Sequence, residues 1–393
     1  MNSDTELNNP SKYFNKYFRV YLIILSFMIL ILAFTPSSSA VVTNNSSNSG
    51  NYKITYLDKA LGGNVQANPE ISQNIPRTYL NNKIFSMTKN GSVVLKFGNG
   101  NGPKLLISAG IHGNEEEPNI AVMKYLEYIK DRSFNGTLYI IPFDIPRDTA
   151  LNSRYYLGKD PNRIANVKGT PGYNIIQFAK NNGINYLLDV HSGGGVTPAG
   201  WVYVNSPTTI TSAEKNWSSY IKTKTNCDII LNPDNSPGML RDFANSAGIN
   251  CITLEVERDN MPTTTAACTE YKMFISAVKY LGFPGYISTN PEVFSTNPPK
   301  NASGVGLTTP VSITFTRNIL AGSNFNGIYI ENLITHKKVP LTSKTIKGNI
   351  LTIKQANNRL SKNVYMIYIP IGAVRDRYGN RLTNAYSYQF KTI

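Results

Sequence analysis

The chain has 393 residues, a length that allows two or three domains and at least one large hydrophobic core. Hydrophobic residues make up 41% of it, which excludes a disordered protein, and a net charge of +15 excludes an acidic solvating protein. The charge is uneven, since residues 290–393 carry 13 basic and 3 acidic side chains, whereas residues 41–289 carry 23 and 19. The last quarter is therefore a cationic module that favours anionic partners, such as a wall polymer, a membrane surface or nucleic acid.

Residues 1–40 are predicted to be a secretory signal peptide or an N-terminal anchor. Three basic residues (Lys12, Lys16 and Arg19) precede an uncharged apolar run over 20–34, and the small residues Ser38 and Ala40 follow it. The run is shorter than the roughly 20 residues that span a membrane. We expect an exported protein, extracellular or on the cell surface, with residues 41–51 as a flexible spacer.

Strands and helices alternate over residues 52–286, the predicted catalytic domain. Strands are expected at 92–97, 104–109, 137–142, 185–190, 201–205 and 251–256, and helices at 118–130, 172–181, 213–225, 238–247 and 266–281. This order predicts an α/β fold with a mostly parallel, mixed sheet flanked by helices. Ligands of such sheets bind beyond the carboxyl ends of the strands.

The pattern changes after residue 286. Residues 287–303 contain several Pro, Asn and Ser and are expected to be a linker. Residues 304–393 show alternating runs at 311–316, 327–331, 350–354, 364–369 and 386–390, which predict an all-β sandwich.

Three cysteines, Cys227, Cys251 and Cys268, fit no C-x-x-C metal spacing. The sequence allows either one disulfide with a free thiol or three buried small hydrophobic residues, and does not choose between them.

Two of the three histidines follow predicted strands and have carboxylates beside them. His112 and Glu115 lie in one loop that enters a helix, and His191 ends the strand at 185–190. Two imidazoles and one carboxylate are the protein ligands of a catalytic zinc site with its fourth position open to water. The alternative is that the histidines belong separately to the polar network of a sheet edge, but the scarcity of histidine favours one zinc ion.

Further charged residues suit a substrate. Arg163, with the amide of Asn162 beside it, is placed to pair with a substrate carboxylate, although a run from Asp160 to Arg163 also fits a solvated loop. Glu255 ends the strand at 251–256 and is either a salt-bridge partner or a general base.

These motifs, taken in order (His112-x-x-Glu115, Asn162-Arg163, His191-Ser192 and Thr253-Leu254-Glu255), resemble the zinc carboxypeptidases and their succinylglutamate desuccinylase/aspartoacylase relatives over about residues 80–285. The resemblance implies that His112, Glu115 and His191 bind zinc and that Asp160 orients the His112 ring. It also implies that Arg154 stabilises the oxyanion, that Asn162 and Arg163 bind the substrate carboxylate, and that Glu255 is the general base. No tyrosine lies at 233–241, where digestive carboxypeptidases carry one, so no tyrosine is assigned.

The C-terminal module resembles immunoglobulin-like domains of prokaryotic surface proteins, through the segments Asn297-Pro298-Pro299, Val311–Phe315 and Arg375–Asn380. The resemblance and the charge predict docking on an anionic envelope polymer, with a mere spacer as the alternative. Nucleic-acid binding is not expected, because the aromatic residues of this module fall at strand positions that a sandwich core fills. His336, beside two lysines, is expected in an exposed turn.

The combined expectation is an exported zinc-dependent carboxypeptidase that removes C-terminal residues from cell-envelope peptides, using a zinc-activated water and Glu255. The alternatives are a general scavenging carboxypeptidase, an N-acyl amino acid deacylase and a non-catalytic surface-binding protein. The spacing between Arg154 and Asn162 is nearer the acylase branch of the family, whereas export favours peptides as substrates.

Overall fold

The computed structural model describes residues 47–49, 51–232, 236–286 and 288–393. The predicted signal segment at 1–40 lies outside the described residues. Among those described, no helix combines the length and apolar character that crossing a membrane requires.

The first part of the chain contains one nine-stranded sheet and the helices around it. Its strands are β1 (Ser47–Ser49), β2 (Tyr52–Asp58), β3 (Ser92–Phe97), β4 (Lys104–Ala109), β5 (Thr137–Ile141), β6 (Tyr186–Gly193), β7 (Trp201–Val204), β8 (Asp228–Leu231) and β9 (Asn250–Glu257). Its helices are α1 (Pro69–Asn74), α2 (Tyr79–Thr88), α3 (Glu116–Ile129), α4 (Pro146–Ala150), α5 (Pro171–Asn181), α6 (Ser212–Thr225), α7 (Leu240–Ser246) and α8 (Thr263–Tyr280).

The strand order is β1-β2-β3-β5-β4-β6-β9-β7-β8. The central strands β5, β4, β6 and β9 are parallel, whereas β3 runs antiparallel to β5, and β7 runs antiparallel to β9. Side chains of α3, α6 and α8 pack in the core on one face of the sheet, and those of α5 and α7 pack on the other. The central strands are buried on both faces, which explains their nearly continuous apolar sequence. The prediction of a mixed sheet between helices is confirmed. The sheet is less parallel than predicted, since four of its strand pairs are parallel and four are antiparallel.

The predicted flexible spacer at 41–51 needs a correction. Ser47–Ser49 is a strand that pairs with Tyr52–Ile54 of β2 in antiparallel register. The backbone of β2 otherwise presents unpaired hydrogen-bonding groups at the sheet edge, and β1 satisfies part of them. The sheet therefore includes residues before 52.

The C-terminal part is built from short antiparallel strands. They are β10 (Val293–Asn297), β11 (Val311–Phe315), β12 (Leu320–Ala321), β13 (Tyr329–Asn332), β14 (Lys337–Lys338), β15 (Leu341–Lys347), β16 (Ile350–Gln355), β17 (Val364–Ile369), β18 (Val374–Arg375) and β19 (Tyr386–Lys391). Two four-stranded sheets, β10-β11-β16-β15 and β14-β13-β17-β19, enclose one apolar core, and β12 pairs with β18. The predicted all-β sandwich is confirmed.

The linker predicted at 287–303 also needs a correction, because it contains β10. Val293–Asn297 pairs with β11 and forms an edge of the sandwich. Sequence reasoning missed this strand because its flanking prolines and asparagines are typical of a linker.

The two parts of the chain are packed directly against each other. Phe294 of β10 is 3% exposed and belongs to the core of the first part, where its ring lies 5.7 Å from that of Tyr271 and under the ammonium of Lys124. A hydrogen bond of 2.8 Å from the Thr314 hydroxyl to the Thr264 hydroxyl crosses the same boundary. The β-sandwich is therefore fixed to α8 rather than tethered beside it.

We predict that Phe294→Ala destabilises both parts of the chain together. The substitution leaves a cavity in the shared core and is expected to cost about 3–5 kcal/mol. Denaturant unfolding followed by fluorescence should show one transition shifted as a whole. Phe325→Ala, a change to a half-buried ring of the sandwich away from this boundary, should cost less. Two separate transitions, with the first part unaffected by Phe294→Ala, would contradict the shared core.

Candidate metal and active site

The chemistry-bearing residues come from three neighbouring strands, β4, β6 and β9, and from the loops at their carboxyl ends. His112 lies in the loop after β4, which turns at Gly110 with a φ of +88°, and a Cβ there would lie 2.7 Å from the amide of Asn119. His191 of β6 and Glu255 of β9 are paired residues in the parallel ladder. Adjacent parallel strands that end together therefore place these side chains on one edge of the sheet.

His112, Glu115 and His191 form one buried cluster. The Nδ1 atom of His112 lies 2.7 Å from Oε1 of Glu115, and Nδ1 of His191 lies 2.8 Å from Oε2 of the same carboxylate. One ligand atom from each residue lies within 4.8 Å of the other two. The structure thus brings together the three residues that the sequence predicts as metal ligands.

The other ring nitrogen of each histidine faces a carboxylate. His112 Nε2 lies 2.9 Å from Oδ1 of Asp160, as predicted, and His191 Nε2 lies 3.1 Å from Oδ1 of Asp189, which sequence reasoning did not single out. Metal-binding histidines generally donate this second N–H to a carboxylate or a carbonyl, which fixes the ring and its tautomer. This arrangement fits a divalent cation held by His112, Glu115 and His191.

The electrostatics of the cluster favour positive charge. Burial works to raise the pKa of Glu115, but His191 and His112 overcome it and hold the pKa of this carboxyl well below its usual range. Burial likewise opposes protonation of His191, yet Asp189 and Glu115 raise its pKa well above the ordinary value. Carboxylates that stabilise an imidazolium also stabilise a metal ion, and both compete for the same nitrogen atoms.

Arg154 lies against the cluster. Its Nη1 donates to Oε1 of Glu115 at 3.1 Å, and its Nε and Nη2 donate to Oδ2 of Asp160 at 3.2 and 2.9 Å. The structure therefore places this arginine beside the candidate metal ligands, where the sequence resemblance requires an oxyanion-stabilising group.

Asn162 and Arg163 sit on the one-turn helix Pro161–Arg163 and differ in exposure. The Asn162 side chain is buried, accepts a 2.7 Å hydrogen bond from the backbone N–H of Leu240, and places its amide nitrogen 3.3 Å from His191 Nε2. Arg163 is exposed and lines the cavity, with Nη1 donating to the Asn162 carbonyl. Arg163 is thus the member of this pair that is open to a ligand, whereas Asn162 also anchors the loop to α7.

Glu255 points into the cavity with its carboxylate uncommitted. Among the residues that the structure describes, it has no hydrogen-bond or ion-pair partner. Burial raises the pKa of Glu255, with His191 acting in the opposite direction. A Cβ added at Gly193 would lie only 2.3 Å from its Oε1, so this glycine leaves the space that the carboxylate occupies.

These residues surround a cavity of about 320 Å³, whose walls include further polar side chains that sequence reasoning missed. Tyr203 of β7 supplies a hydroxyl, and burial, with Glu255 nearby, raises the pKa of Tyr203 to about 12. Arg241 at the start of α7 lies with its guanidinium 5.9 Å from the Tyr203 ring, and Arg258 follows β9. Of these three residues, only Arg258 could have been suspected from the sequence, because it comes just after the strand that contains Glu255. With Arg154 and Arg163, Arg241 and Arg258 make four arginines in one cavity. Arg154, Arg241 and Arg258 are paired with carboxylates, whereas Arg163 forms no ion pair with a described residue and is the one available to an anionic ligand.

The remaining candidate residues also have clear positions. Cys227, Cys251 and Cys268 are buried and free, with no disulfide among them. His336 is exposed in the turn between β13 and β14, as predicted.

Comparisons with known protein families find a match in each part of the chain. Residues 101–269 match the succinylglutamate desuccinylase/aspartoacylase catalytic domain, and residues 287–392 match the bacterial Ig-like domain. Each of these two matches covers less than half of the chain. The resemblance predicted from the motifs is confirmed for both parts, and it indicates a hydrolase. No curated protein matches the sequence significantly.

Several solved structures show a partial likeness to the chain. A Shewanella amazonensis protein described as a candidate metallopeptidase is 18% identical, covers 49% of this chain and 83% of its own, and gives a TM-score of 0.41. A succinylglutamate desuccinylase/aspartoacylase from Rhodobacter sphaeroides is 12% identical over 90% of this chain and 99% of its own, with a TM-score of 0.45. A metallo-carboxypeptidase from Burkholderia cenocepacia is 15% identical over 49% of this chain and 61% of its own, with a TM-score of 0.40.

We predict that the protein binds one divalent metal ion and that either cavity histidine is required for it. Replacing His112 or His191 by alanine removes a ligand and should reduce the metal content, measured by mass spectrometry after equilibration with zinc and dialysis, to near zero. His336→Ala is the matched control, because this histidine is exposed and far along the chain in the sandwich. Full metal content in His191→Ala would show that the cluster is not the metal site.

Proposed function

We propose that the protein is an exported, zinc-dependent carboxypeptidase that removes C-terminal residues from cell-envelope peptides. The observation that supports this best is the combination in one cavity of a metal-binding type of cluster, an uncommitted carboxylate on Glu255 and an exposed guanidinium on Arg163. Each group has a distinct task in hydrolysis of a terminal amide.

The proposed zinc ligands are His112, Glu115 and His191, with Asp160 and Asp189 fixing the two imidazoles. When bound, the ion supplies Lewis acidity, which polarises the scissile carbonyl and lowers the pKa of the attacking water. The choice of zinc over other divalent ions rests on the two nitrogen ligands and one carboxylate, a set typical of catalytic zinc.

Glu255 is the proposed general base. Its carboxylate takes one proton from the attacking water, the hydroxyl adds to the carbonyl carbon, and the same proton passes to the departing amine as the C–N bond breaks. The absence of a hydrogen bond to Glu255 from the described residues leaves both oxygens available for this transfer. The raised pKa brings the carboxyl closer to working pH, where a base can also return the proton.

The two arginines near the cluster have separate roles in the proposal. Arg154, beside Glu115, stabilises the negative charge that develops on the carbonyl oxygen. Arg163, which is exposed at the cavity wall, pairs with the carboxylate at the substrate's C-terminus. A site that requires this carboxylate cuts only the last peptide bond, which is why we propose exopeptidase rather than endopeptidase activity.

The proposed export and the proposed envelope substrates are inferred from the N-terminal segment and from the Ig-like domain. The basic and apolar pattern of residues 12–40 favours export. Ig-like domains of the matched family are typical of bacterial surface proteins, and this one is strongly cationic. Together they favour substrates attached to, or released from, an anionic envelope, with residues 304–393 contacting its polymers.

An N-acyl amino acid deacylase is the second candidate, and the family match at 101–269 favours it. The same base, metal ligands and carboxylate-binding arginine would serve that reaction, since an acylated amino acid also presents an amide next to a free carboxylate. The two candidate activities differ only in the acyl group of the amide that is cut, which belongs to a peptide for the carboxypeptidase and to an N-acyl amino acid for the deacylase.

The proposed activity is tested by incubating the zinc-loaded protein with wall-derived peptides, ordinary peptides and N-acyl amino acids, and following the products by mass spectrometry. We expect stepwise loss of single C-terminal residues that stops with a chelator. Glu255→Gln keeps the shape of the side chain and the metal but removes the base, and should lower the rate by about 10²- to 10⁴-fold. Cleavage of N-acyl amino acids alone would replace the peptidase with the deacylase, and Glu255→Gln at full rate would refute the assigned base.

The role of Arg163 is tested by pairing a substitution with a change of substrate. Arg163→Met should lower kcat/KM for peptides with a free C-terminus by about 10- to 100-fold, because it removes a charge-assisted hydrogen bond. Peptides with a C-terminal amide should be poor substrates of both proteins, so that the two changes are not additive. Lys168→Met, the loss of an exposed charge a few residues away, is the matched control. Additive losses would show that Arg163 does not bind the carboxylate.

A further inference from the structure

A second cavity lies between the catalytic part and the β-sandwich. Its volume is about 670 Å³, larger than that of the candidate active site. The catalytic part contributes Pro198, Met261 and Lys272 to its walls, and the sandwich contributes Arg317 and Arg377. Because the two parts are packed against each other through β10 and α8, both walls are held in place.

The same two loops border this cavity and the active site. One follows β6: its residues Gly193 and Gly194 line the active-site cavity, and Pro198 lines the second one. The other follows β9: Arg258 lines the active site, and Met261 lines the second cavity. The loops contact each other, since the Arg258 N–H donates to the Gly193 carbonyl at 2.9 Å. The two cavities therefore lie next to each other along these two loops.

The second cavity lies on the opposite side of the sheet edge from Arg163. The Arg163 loop is attached to α7, since the Ala165 N–H donates to the Gly238 carbonyl at 2.8 Å and Ala165 packs in the core of α5 and α7. Met261 instead packs against the core of α3, α6 and α8. The second cavity is therefore available to the other end of a substrate whose C-terminal carboxylate is held at Arg163.

The charge of the second cavity is positive and largely uncommitted. The ammonium of Lys272 makes no hydrogen bond or ion pair with any described residue, and the exposed guanidinium of Arg377 donates only to the hydroxyl of the neighbouring Tyr378. The single carboxylate in the lining, Asp376, pairs with Arg317 at 3.4 Å and accepts hydrogen bonds from the backbone of Tyr378 and Asn380 and from the Asn380 amide. That carboxylate is therefore not available to neutralise the two cations.

Apolar surface lies beside these charges. Tyr378 is 72% exposed, its ring stacks under the guanidinium of Arg377 at 4.5 Å, and Leu320 is 46% exposed in the same lining. A guanidinium held against an aromatic ring is preorganised to bind an anion with little further loss of side-chain freedom. The surface thus suits a flexible chain that carries carboxylates among apolar groups.

We propose that this interdomain cavity, here called the acyl-side groove, binds the N-terminal extension of an acidic peptide whose last bond lies in the active site. The inference rests on the proposed function and adds that the Ig-like domain supplies part of the substrate site. The groove selects long acidic peptides over short or neutral ones. Its cations act on binding, so they contribute to KM rather than to kcat.

The test uses three substrates that share one C-terminal tripeptide: the acetylated tripeptide itself, the tripeptide with a glutamate-rich extension, and the tripeptide with a glutamine-rich extension. The zinc-loaded wild-type protein should have a KM about tenfold lower for the glutamate-rich peptide than for the other two. The double variant Lys272→Gln/Arg377→Gln should lose this advantage at unchanged kcat. Arg381→Gln, another exposed arginine of the sandwich that does not line the groove, should retain it. Equal KM values for all three peptides in the wild type, or equal losses on all three in the double variant, would overturn the inference.

A binding measurement separates failure of the groove from failure of the proposed reaction. Glu255→Gln, loaded with zinc, is titrated calorimetrically with the two extended peptides, alone and combined with the groove substitutions. Preferential binding of the glutamate-rich peptide that the groove substitutions abolish supports the groove even if no peptide is cleaved. If soluble polygalacturonate binds there instead and the glutamate-rich peptide does not, the occupant is a glycan and the peptide proposal is wrong.

Discussion

The buried carboxylate of Glu115 is the constraint on which the site depends. It is removed from water and contacts two imidazoles, one guanidinium and the Ser192 N–H. Removal of one partner from such a cluster leaves a charge uncompensated in a low-dielectric environment, which is costly. Asp160 and Asp189 contact the Nε2 atoms of His112 and His191 and so fix the orientation of the two rings. The arrangement holds the ligand atoms of His112, Glu115 and His191 within 4.8 Å of one another, where they could share one cation.

Much of this site follows from sequence order and strand alternation. His112, His191 and Glu255 follow strands that a parallel sheet aligns, so their convergence is a consequence of topology and needs no knowledge of side-chain packing. The central strands were predictable because they are short and, being buried on both faces, consist almost entirely of apolar residues. The helix at 212–225 was predictable from its spacing, and its capping box at Thr211 and Glu214 reinforces it.

The rest depends on contacts between distant segments. Asp189 lies inside an apolar strand, and only its position facing His191 Nε2 gives it a role. Tyr203 reaches the cavity because β7 is inserted beside β9 against chain order, which no local pattern predicts. The strand β10 was missed because prolines lie before and after it. Its Phe294 packs in the core of the first part of the chain, which no local pattern indicates. The acyl-side groove likewise exists only because the sandwich is fixed against α8.

Hydrolysis in ¹⁸O-labelled water tests the central claim most directly, namely that this cavity uses a bound metal to hydrolyse the last peptide bond of its substrate. The account predicts that the zinc-loaded protein releases the first C-terminal residue without label and leaves one ¹⁸O atom in the new carboxyl group of the shortened peptide, and that chelation stops both. Label in the carboxyl groups of internal fragments, or the same labelled product with the metal removed, would contradict it.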